Sequence, residues 1–135
     1  MWSPITSTLI FGSKDAVLID TPTTADQAHA LADWVEASGK NLTTIYATHG
    51  HGDHFFGTGI LQARFPGARA VAAPEVVKHM HDQMAPAMID GFWSKRFPDQ
   101  IPENIVAAEA LDGDHFYLEE HELQIVSVGH SDMDD

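Results

Sequence analysis

An apolar strand pattern runs directly into a dense group of side chains that can bind metal ions. Residues 43–47 (TTIYA) are typical of a short buried strand, and the following THGHGDH contains His49, His51, Asp53 and His54. The group therefore lies at the carboxyl end of a strand. Any fold assigned to the chain has to accommodate this crowding.

The spacing within the group suits metal ions. His49 and His51 are two residues apart, so their side chains leave an extended strand on the same side, as two ligands of one metal must. Glycines flank His51 on both sides and allow the tight backbone that such a group needs. Asp53 and His54 are adjacent and diverge in a turn, which suits a second ion about 3.5–4 Å from the first. The pattern predicts a metal site rather than a solvated polar loop.

Strand and helix patterns alternate along the rest of the chain. A hairpin of residues 5–11 and 16–20 comes first, followed by a helix that Thr24 caps and that ends near Gly39. Further helices are predicted at about 54–64 and, opened by Pro74, at 74–84; further strands are predicted at 68–73, 105–111, 115–119 and 123–128. Residues 86–104 show no clean period. With 44% hydrophobic residues, the chain forms one globular domain or part of a larger one.

Charge and residue composition limit which partners and ligands the chain can bind. A formal charge of −13 opposes binding to a phosphate backbone or an anionic bilayer, so we predict neither a nucleic-acid nor a membrane partner. The chain has no cysteine, so any metal ligand within it is an imidazole or a carboxylate. The first residues match neither a signal peptide nor a spanning helix, and the expected location is cytoplasmic.

The remaining histidines carry weaker signals. His79 and His81 are two apart on a predicted helix, where such positions do not face each other, so we interpret both as exposed. Three others have no ligand-type neighbours in sequence and are interpreted as structural: His29, His115 and His121. His130 differs because it stands one glycine past an apolar strand pattern and therefore lies at a strand end, as His49 does.

Two motifs together resemble a known family. The HxHxDH pattern of residues 49–54 and the GHS of residues 129–131 are similar to the motifs of the metallo-β-lactamase superfamily. The order of elements, from the hairpin that ends in LIDT to the second motif, resembles the first half of that family's fold. The resemblance implies an α+β fold, a four-layer αββα sandwich with metal ions at its edge.

The resemblance also implies a role for each motif residue. His49, His51 and His130 would hold one zinc ion, while Asp53 and His54 would contribute to a second site. Asp53 would in addition hold the catalytic water in place. One or two zinc ions are expected, with iron or manganese as alternatives.

The chain departs from the family pattern at its end. The family continues with a second-site Asp or Cys and a last His, whereas this sequence stops at Asp135. We therefore expect residues 1–135 to be a partial metallo-β-lactamase-like domain, truncated after the third His motif. Asp20 matches the family's LIDT position, where it either orients the histidine loop through hydrogen bonds or simply caps a strand.

A complete site of this kind performs metal-assisted hydrolysis. Zinc lowers the pKa of bound water to about 7, and the resulting hydroxide attacks a carbonyl. The expected substrate is a small molecule with an ester-like, lactone, thioester or lactam bond. Two alternatives stay open: an iron-dependent oxidoreductase of the same fold, and a non-catalytic fragment with a partial metal site.

One aromatic segment lacks a clear assignment. Residues 82–98 contain apolar side chains without clean periodicity: Met84, Met88, Phe92, Trp93 and Phe97. We expect the segment to cover part of the substrate cleft or to form a homodimer contact, because exposed apolar patches mark interaction sites. The alternative is an irregular stretch that packs its aromatic rings into the core.

Overall fold

The computed structural model describes residues 7–22, 24–50, 55–89, 91, 101, 105–111, 115–119 and 121–124. Within these ranges the strands are β1 Thr8–Phe11, β2 Asp15–Ile19, β3 Asn41–Tyr46, β4 Arg69–Ala72, β5 Glu109–Ala110, β6 His115–Leu118 and β7 His121–Gln124. The helices are α1 Ala25–Ala37, α2 Thr58–Arg64, α3 Pro74–Gln83 and the single turn α4 Pro86–Met88.

The hairpin and the first helix form as the sequence predicts. Strands β1 and β2 pair in antiparallel fashion, and the N–H of Gly12 donates to the carbonyl of Asp15 across the turn at 2.9 Å. Thr24 caps α1, because its hydroxyl accepts a hydrogen bond from the N–H of Gln27 at 3.3 Å. The helix buries one stripe of small and branched residues: Ala28, Ala32 and Val35.

Five strands form a mixed sheet in the order β1-β2-β3-β4-β5. Only β1 is antiparallel to its neighbour, whereas β2, β3, β4 and β5 run parallel to one another. The carboxyl ends of β2, β3 and β4 therefore meet at one edge of the sheet. Asp20 follows β2 at this edge and Thr48 follows β3, so the fold brings the LIDT segment to the start of the histidine group.

Alternation along the strands separates two buried layers. On β4, Ala70 and Ala72 pack with residues of α3. Val71 between them faces the other way and packs with Tyr46 of β3 and with Phe116, which belongs to the second sheet. Helices thus cover one face of the sheet, and the β6–β7 hairpin covers the other. The described residues form a helical layer, a five-stranded sheet and a two-stranded sheet, and the predicted α+β fold class is confirmed.

Several predicted boundaries are wrong, and pairing between strands explains the differences. β3 begins at Asn41, before the predicted start at residue 43, because Asn41 pairs with Asp15 of β2. The strand predicted at residues 105–111 shrinks to β5, since β4 pairs with only Glu109 and Ala110. β6 ends one residue early because Glu119 has a φ of 56°. β7 begins at residue 121, before the predicted start at 123, and residues 125–128 lie outside the described part.

Glu119 joins the two sheets at the β1–β2 turn. Its carboxylate accepts hydrogen bonds from the backbone N–H groups of Lys14 at 2.7 Å and Asp15 at 2.9 Å, and from that of Ser13 at 3.3 Å. These backbone bonds, chiefly those from Asp15 and Lys14, lower the pKa of the Glu119 carboxyl from an ordinary value of 4.5 to about 2. The charged form of this exposed side chain is thus the one that ties the hairpins together.

We expect the contribution of Glu119 to stability to depend on pH. Because its pKa is lower in the folded protein, the stabilisation is fully present above pH 4.5 and is lost as the pH falls towards about 2. The urea midpoint of Glu119→Gln should therefore lie below that of the wild type at pH 7, and the gap should narrow by pH 3. Asp82→Asn removes one charge elsewhere on the surface and reports the effect of net charge alone. A gap of constant size across this range would contradict the assignment.

Candidate metal centre

His49 lies at the sheet edge, three residues beyond the end of β3, and is half-buried. Its Nδ1 is 2.8 Å from the hydroxyl Oγ1 of Thr48. That hydroxyl is in turn 2.7 Å from Oδ2 of Asp20, whose Oδ1 accepts a hydrogen bond from the N–H of Thr48 at 2.8 Å. The carboxylate therefore holds the backbone and the side chain of Thr48 at the entry to the histidine group, while the orienting role of Asp20 towards a bound metal stays a prediction.

Asp20 adopts an unusual backbone conformation that places its side chain. Its φ is 65°, a left-handed value that Asp tolerates better than most residues, and it is only 6% exposed. Its N–H donates to the carbonyl of Tyr46 at 2.8 Å, which continues the pairing of β2 with β3 by one residue. The turn at Asp20 thus ends the strand while directing the carboxylate at the neighbouring strand end.

Residues just after Asp20 contact the chain that follows the histidine group. The hydroxyls of Thr21 and Thr58 are 3.4 Å apart and buried. A Cβ added at Gly57 would lie 2.9 Å from the carbonyl oxygen of Pro22, so this close approach needs glycine. The segment 20–22 therefore touches the chain both before and after residues 51–54.

Helix α3 packs against Gly50, which directly follows His49. A Cβ added at Gly50 would lie 2.5 Å from the Cβ of His79 and 2.9 Å from the carbonyl oxygen of Val76. His79 is half-buried by this contact, so the prediction that it is exposed is wrong, whereas His81 is exposed as predicted. Helical spacing predicts correctly that His79 and His81 do not face each other. It cannot predict that His79 contacts Gly50, because that contact joins distant parts of the chain.

Tyr46 is the last residue of β3, and its side chain lies on the face of the sheet that the β6–β7 hairpin covers. Its ring stacks on Phe116 with centroids 5.4 Å apart. Burial and, after it, the negative charges of Asp20 and Glu75 raise the pKa of the Tyr46 phenol. The phenol therefore stays protonated at neutral pH.

Only one of the five predicted metal ligands lies within the described residues. His49 lies within them, whereas the other four lie outside: His51, Asp53, His54 and His130. In the part of the chain that the structure describes, no three His, Asp or Glu side chains converge as metal ligands. His29 is exposed, as expected for a structural histidine, and the side chains of His115 and His121 lie outside the described part.

The surroundings of His49 fit a metal ion. Histidines that bind metals usually hold one ring nitrogen in a hydrogen bond while the other binds the ion. With Nδ1 in contact with the Thr48 hydroxyl, Nε2 is the ring nitrogen that would bind an ion. A neutral imidazole is a good ligand for zinc and for iron.

A match to a family model identifies the family of the chain. The model described as Metallo-beta-lactamase superfamily matches residues 1–133. The chain belongs to the metallo-beta-lactamase superfamily. The resemblance drawn from the two motifs is thereby confirmed.

Solved structures of superfamily members show the same fold. The chain is similar to Rm3 metallo-beta-lactamase, with a TM-score of 0.61 and 23% identity over 87% of this chain and 43% of that one. It is also similar to the BLEG-1 B3 metallo-beta-lactamase, with a TM-score of 0.62 and 19% identity over 90% of this chain and 56% of that one. The chain therefore spans about half the length of these superfamily members.

Curated superfamily members share parts of the sequence. A hydroxyacylglutathione hydrolase of Stenotrophomonas maltophilia is 45% identical over 67 residues, which are 50% of this chain and 24% of that protein. The mitochondrial persulfide dioxygenase ETHE1 of Mus musculus is 39% identical over 59 residues, 44% of this chain and 22% of that protein. One is named as a hydrolase and the other as a dioxygenase, so the superfamily alone does not fix the reaction.

The aromatic segment 82–98 is described in part. Met84 and Ile89 are half-buried and pack against the cluster that contains Phe55, Phe56 and Met80. Phe92, Trp93 and Phe97 lie outside the described residues, so the cleft and the dimer contact stay predictions. Among the residues that the structure does describe, no helix has the length and apolar character needed to cross a bilayer.

Proposed function

We propose that the protein is a metal-dependent hydrolase of a small molecule with an ester-like or thioester bond. The observation that carries the proposal is the half-buried His49 at the sheet edge, whose Nδ1 contacts a threonine that Asp20 holds. His49, His51 and His130 are the proposed ligands of one zinc ion, and Asp53 and His54 the proposed ligands of a second. The 45% identity to a hydroxyacylglutathione hydrolase supports a thioester among the candidate bonds.

Each part of the site has a task in this proposal. A bound zinc ion would supply hydroxide at neutral pH. His49 would bind the ion, and Thr48 and Asp20 would keep the imidazole oriented towards it. Asp53 would hold the attacking water, as the resemblance implies.

A second candidate is an iron-dependent oxidoreductase. The 39% identity to a persulfide dioxygenase supports it, because 59 residues of this chain are similar to part of a protein named for oxygen chemistry. Imidazole and carboxylate ligands suit iron as well as zinc. The described geometry of His49 is compatible with either metal.

Metal analysis together with two assays separates the candidates. We expect the purified protein to contain zinc and to hydrolyse a hydroxyacylglutathione thioester, without taking up oxygen when given an alkyl persulfide. Iron with persulfide-dependent oxygen uptake would support the second candidate. Neither activity, with substoichiometric metal, would indicate a non-catalytic fragment and contradict the proposal.

The remaining proposals concern partners and location. We propose that the substrate is a small molecule and that the protein is cytoplasmic. Cell fractionation tests the proposed location. A homodimer contact through residues 82–98 is part of the same proposal. Light scattering on the wild type and on Trp93→Ser measures it, and a wild-type monomer would rule it out.

A further inference from the structure

The turn between β1 and β2 directs three consecutive backbone N–H groups at one point. Those of Ser13, Lys14 and Asp15 all donate to the carboxylate of Glu119, at 3.3, 2.7 and 2.9 Å. Consecutive N–H groups that converge in this way form a nest, a concave site for negatively charged oxygen atoms. We propose that the turn of residues 12–15 is an oxyanion-binding nest that holds Glu119 as its resident ligand and binds inorganic phosphate in competition with it.

The contacts of the resident carboxylate indicate which ligands the nest accepts. Oε2 of Glu119 accepts from the N–H groups of Lys14 and Asp15, while Oε1 accepts from the N–H and the hydroxyl of Ser13, both at 3.3 Å. The bonds from Asp15 and Lys14 lower the pKa of the Glu119 carboxyl to about 2, so the nest favours a charged ligand over a neutral one. A phosphate ion also presents several strongly accepting oxygens on one centre.

Gly12 leaves the space that the anion occupies. A Cβ added at Gly12 would lie 2.5 Å from Oε1 and 2.7 Å from Cδ of Glu119, so the carboxylate fills the place of a side chain at residue 12. Gly12 does not have a positive φ, so its backbone would accept alanine. The close approach of the carboxylate, rather than the backbone conformation, therefore requires glycine here.

Two lysines bring positive charge to this turn in a chain whose net charge is −13. Nζ of Lys40 donates to the carbonyl of Ser13 at 3.1 Å, and Lys14 is itself part of the nest. The carboxylate of Asp15 opposes them, but it accepts a hydrogen bond from the side chain of Asn41 at 3.4 Å. Ser13 and Lys14 are exposed, so a small anion can reach the nest from solvent.

The nest lies at the opposite end of β2 from the candidate metal centre. Asp15 begins β2 and Asp20 follows its last residue, so about 16 Å of strand separates the two. The inference therefore does not rest on the proposed function, and either can fail without the other.

Phosphate titrations of the metal-free protein test the inference, with amide NMR at pH 7 and sodium chloride keeping the ionic strength constant. In Glu119→Ala we expect saturable shifts of the N–H signals of Ser13, Lys14 and Asp15. The dissociation constant should be about 10-fold lower or better than in the wild type, where the tethered carboxylate competes for the same groups. Shifts confined to the neighbourhood of Thr48 would place the phosphate at the metal edge and overturn the inference.

A double variant supplies the matched control. Gly12→Ala combined with Glu119→Ala puts a methyl group where the carboxylate lay, and it should abolish the phosphate shifts. Phosphate should also raise the urea midpoint of Glu119→Ala more than that of the double variant, because only the first binds the ion in its folded state. The general stabilising effect of phosphate is common to both.

Glu119→Gln keeps the test decisive if Glu119→Ala fails to fold. Its neutral amide is a weaker ligand for the N–H groups than a carboxylate, so phosphate should bind this variant more tightly than the wild type. Equal phosphate affinity in the wild type and in the Glu119 variants would overturn the inference. Undiminished phosphate binding in the double variant would do the same, because the ion would then lie elsewhere.

Discussion

If the proposed function is correct, His49→Ala should remove most of the bound metal and, with it, the proposed hydrolytic activity. The three-histidine site that we propose loses one ligand of the ion in this variant, and both affinity and geometry depend on a full set. Elemental analysis after dialysis against a weak chelator measures the metal, and thioester turnover measures the activity. The loss of turnover should be at least as large as the loss of metal, because hydroxide is generated only on the ion.

His81→Ala is the matched control for this substitution. His81 is an exposed histidine on α3, so its loss removes the same imidazole without touching the sheet edge. We expect wild-type metal content and turnover in the control. Equal zinc in His49→Ala and in the wild type would reject His49 as a ligand and, with it, the proposed centre.

Local patterns predicted those elements whose boundaries are set by local interactions. The apolar spacing and the Thr24 cap define α1, and Pro74 begins α3 as expected. The length of β5 could not be predicted in this way, because residues 105–108 look equally strand-like but β4 pairs with only Glu109 and Ala110. Strand limits depend on the partner strand, and the partner is invisible to a window of neighbouring residues.

The same distinction applies to the site. The strand pattern before His49 predicted that it lies at a strand end, and the LIDT position of Asp20 predicted, as one of two alternatives, that Asp20 forms hydrogen bonds with the histidine loop. The sequence analysis did not predict the hydrogen bonds of Thr48, because a threonine beside a histidine has no special spacing. These bonds form only because the carboxylate of Asp20, at the end of β2, lies within reach of the Thr48 hydroxyl. The contact of His79 with Gly50 was missed for a similar reason, since it arises from the way α3 crosses the loop.

Gly50→Ala should both destabilise the protein and weaken metal binding. The added Cβ would lie 2.5 Å from the Cβ of His79 and 2.9 Å from the carbonyl oxygen of Val76. Neither atom is the far end of a flexible side chain, so either the loop or α3 has to move. Overpacking of this kind costs about 1–3 kcal/mol, which the urea midpoint should register.

Gly67→Ala is the control for Gly50→Ala, because a Cβ at Gly67 would meet no atom within 4 Å. We expect it to leave both the urea midpoint and zinc affinity near wild-type values. In Gly50→Ala, a loop pushed away from α3 carries the adjacent His49 with it, so zinc affinity should fall together with stability. A variant that loses stability but binds zinc normally would show that α3 moves instead. The contacts of Thr48 with Asp20, rather than the close approach of α3, would then be what holds His49 in place.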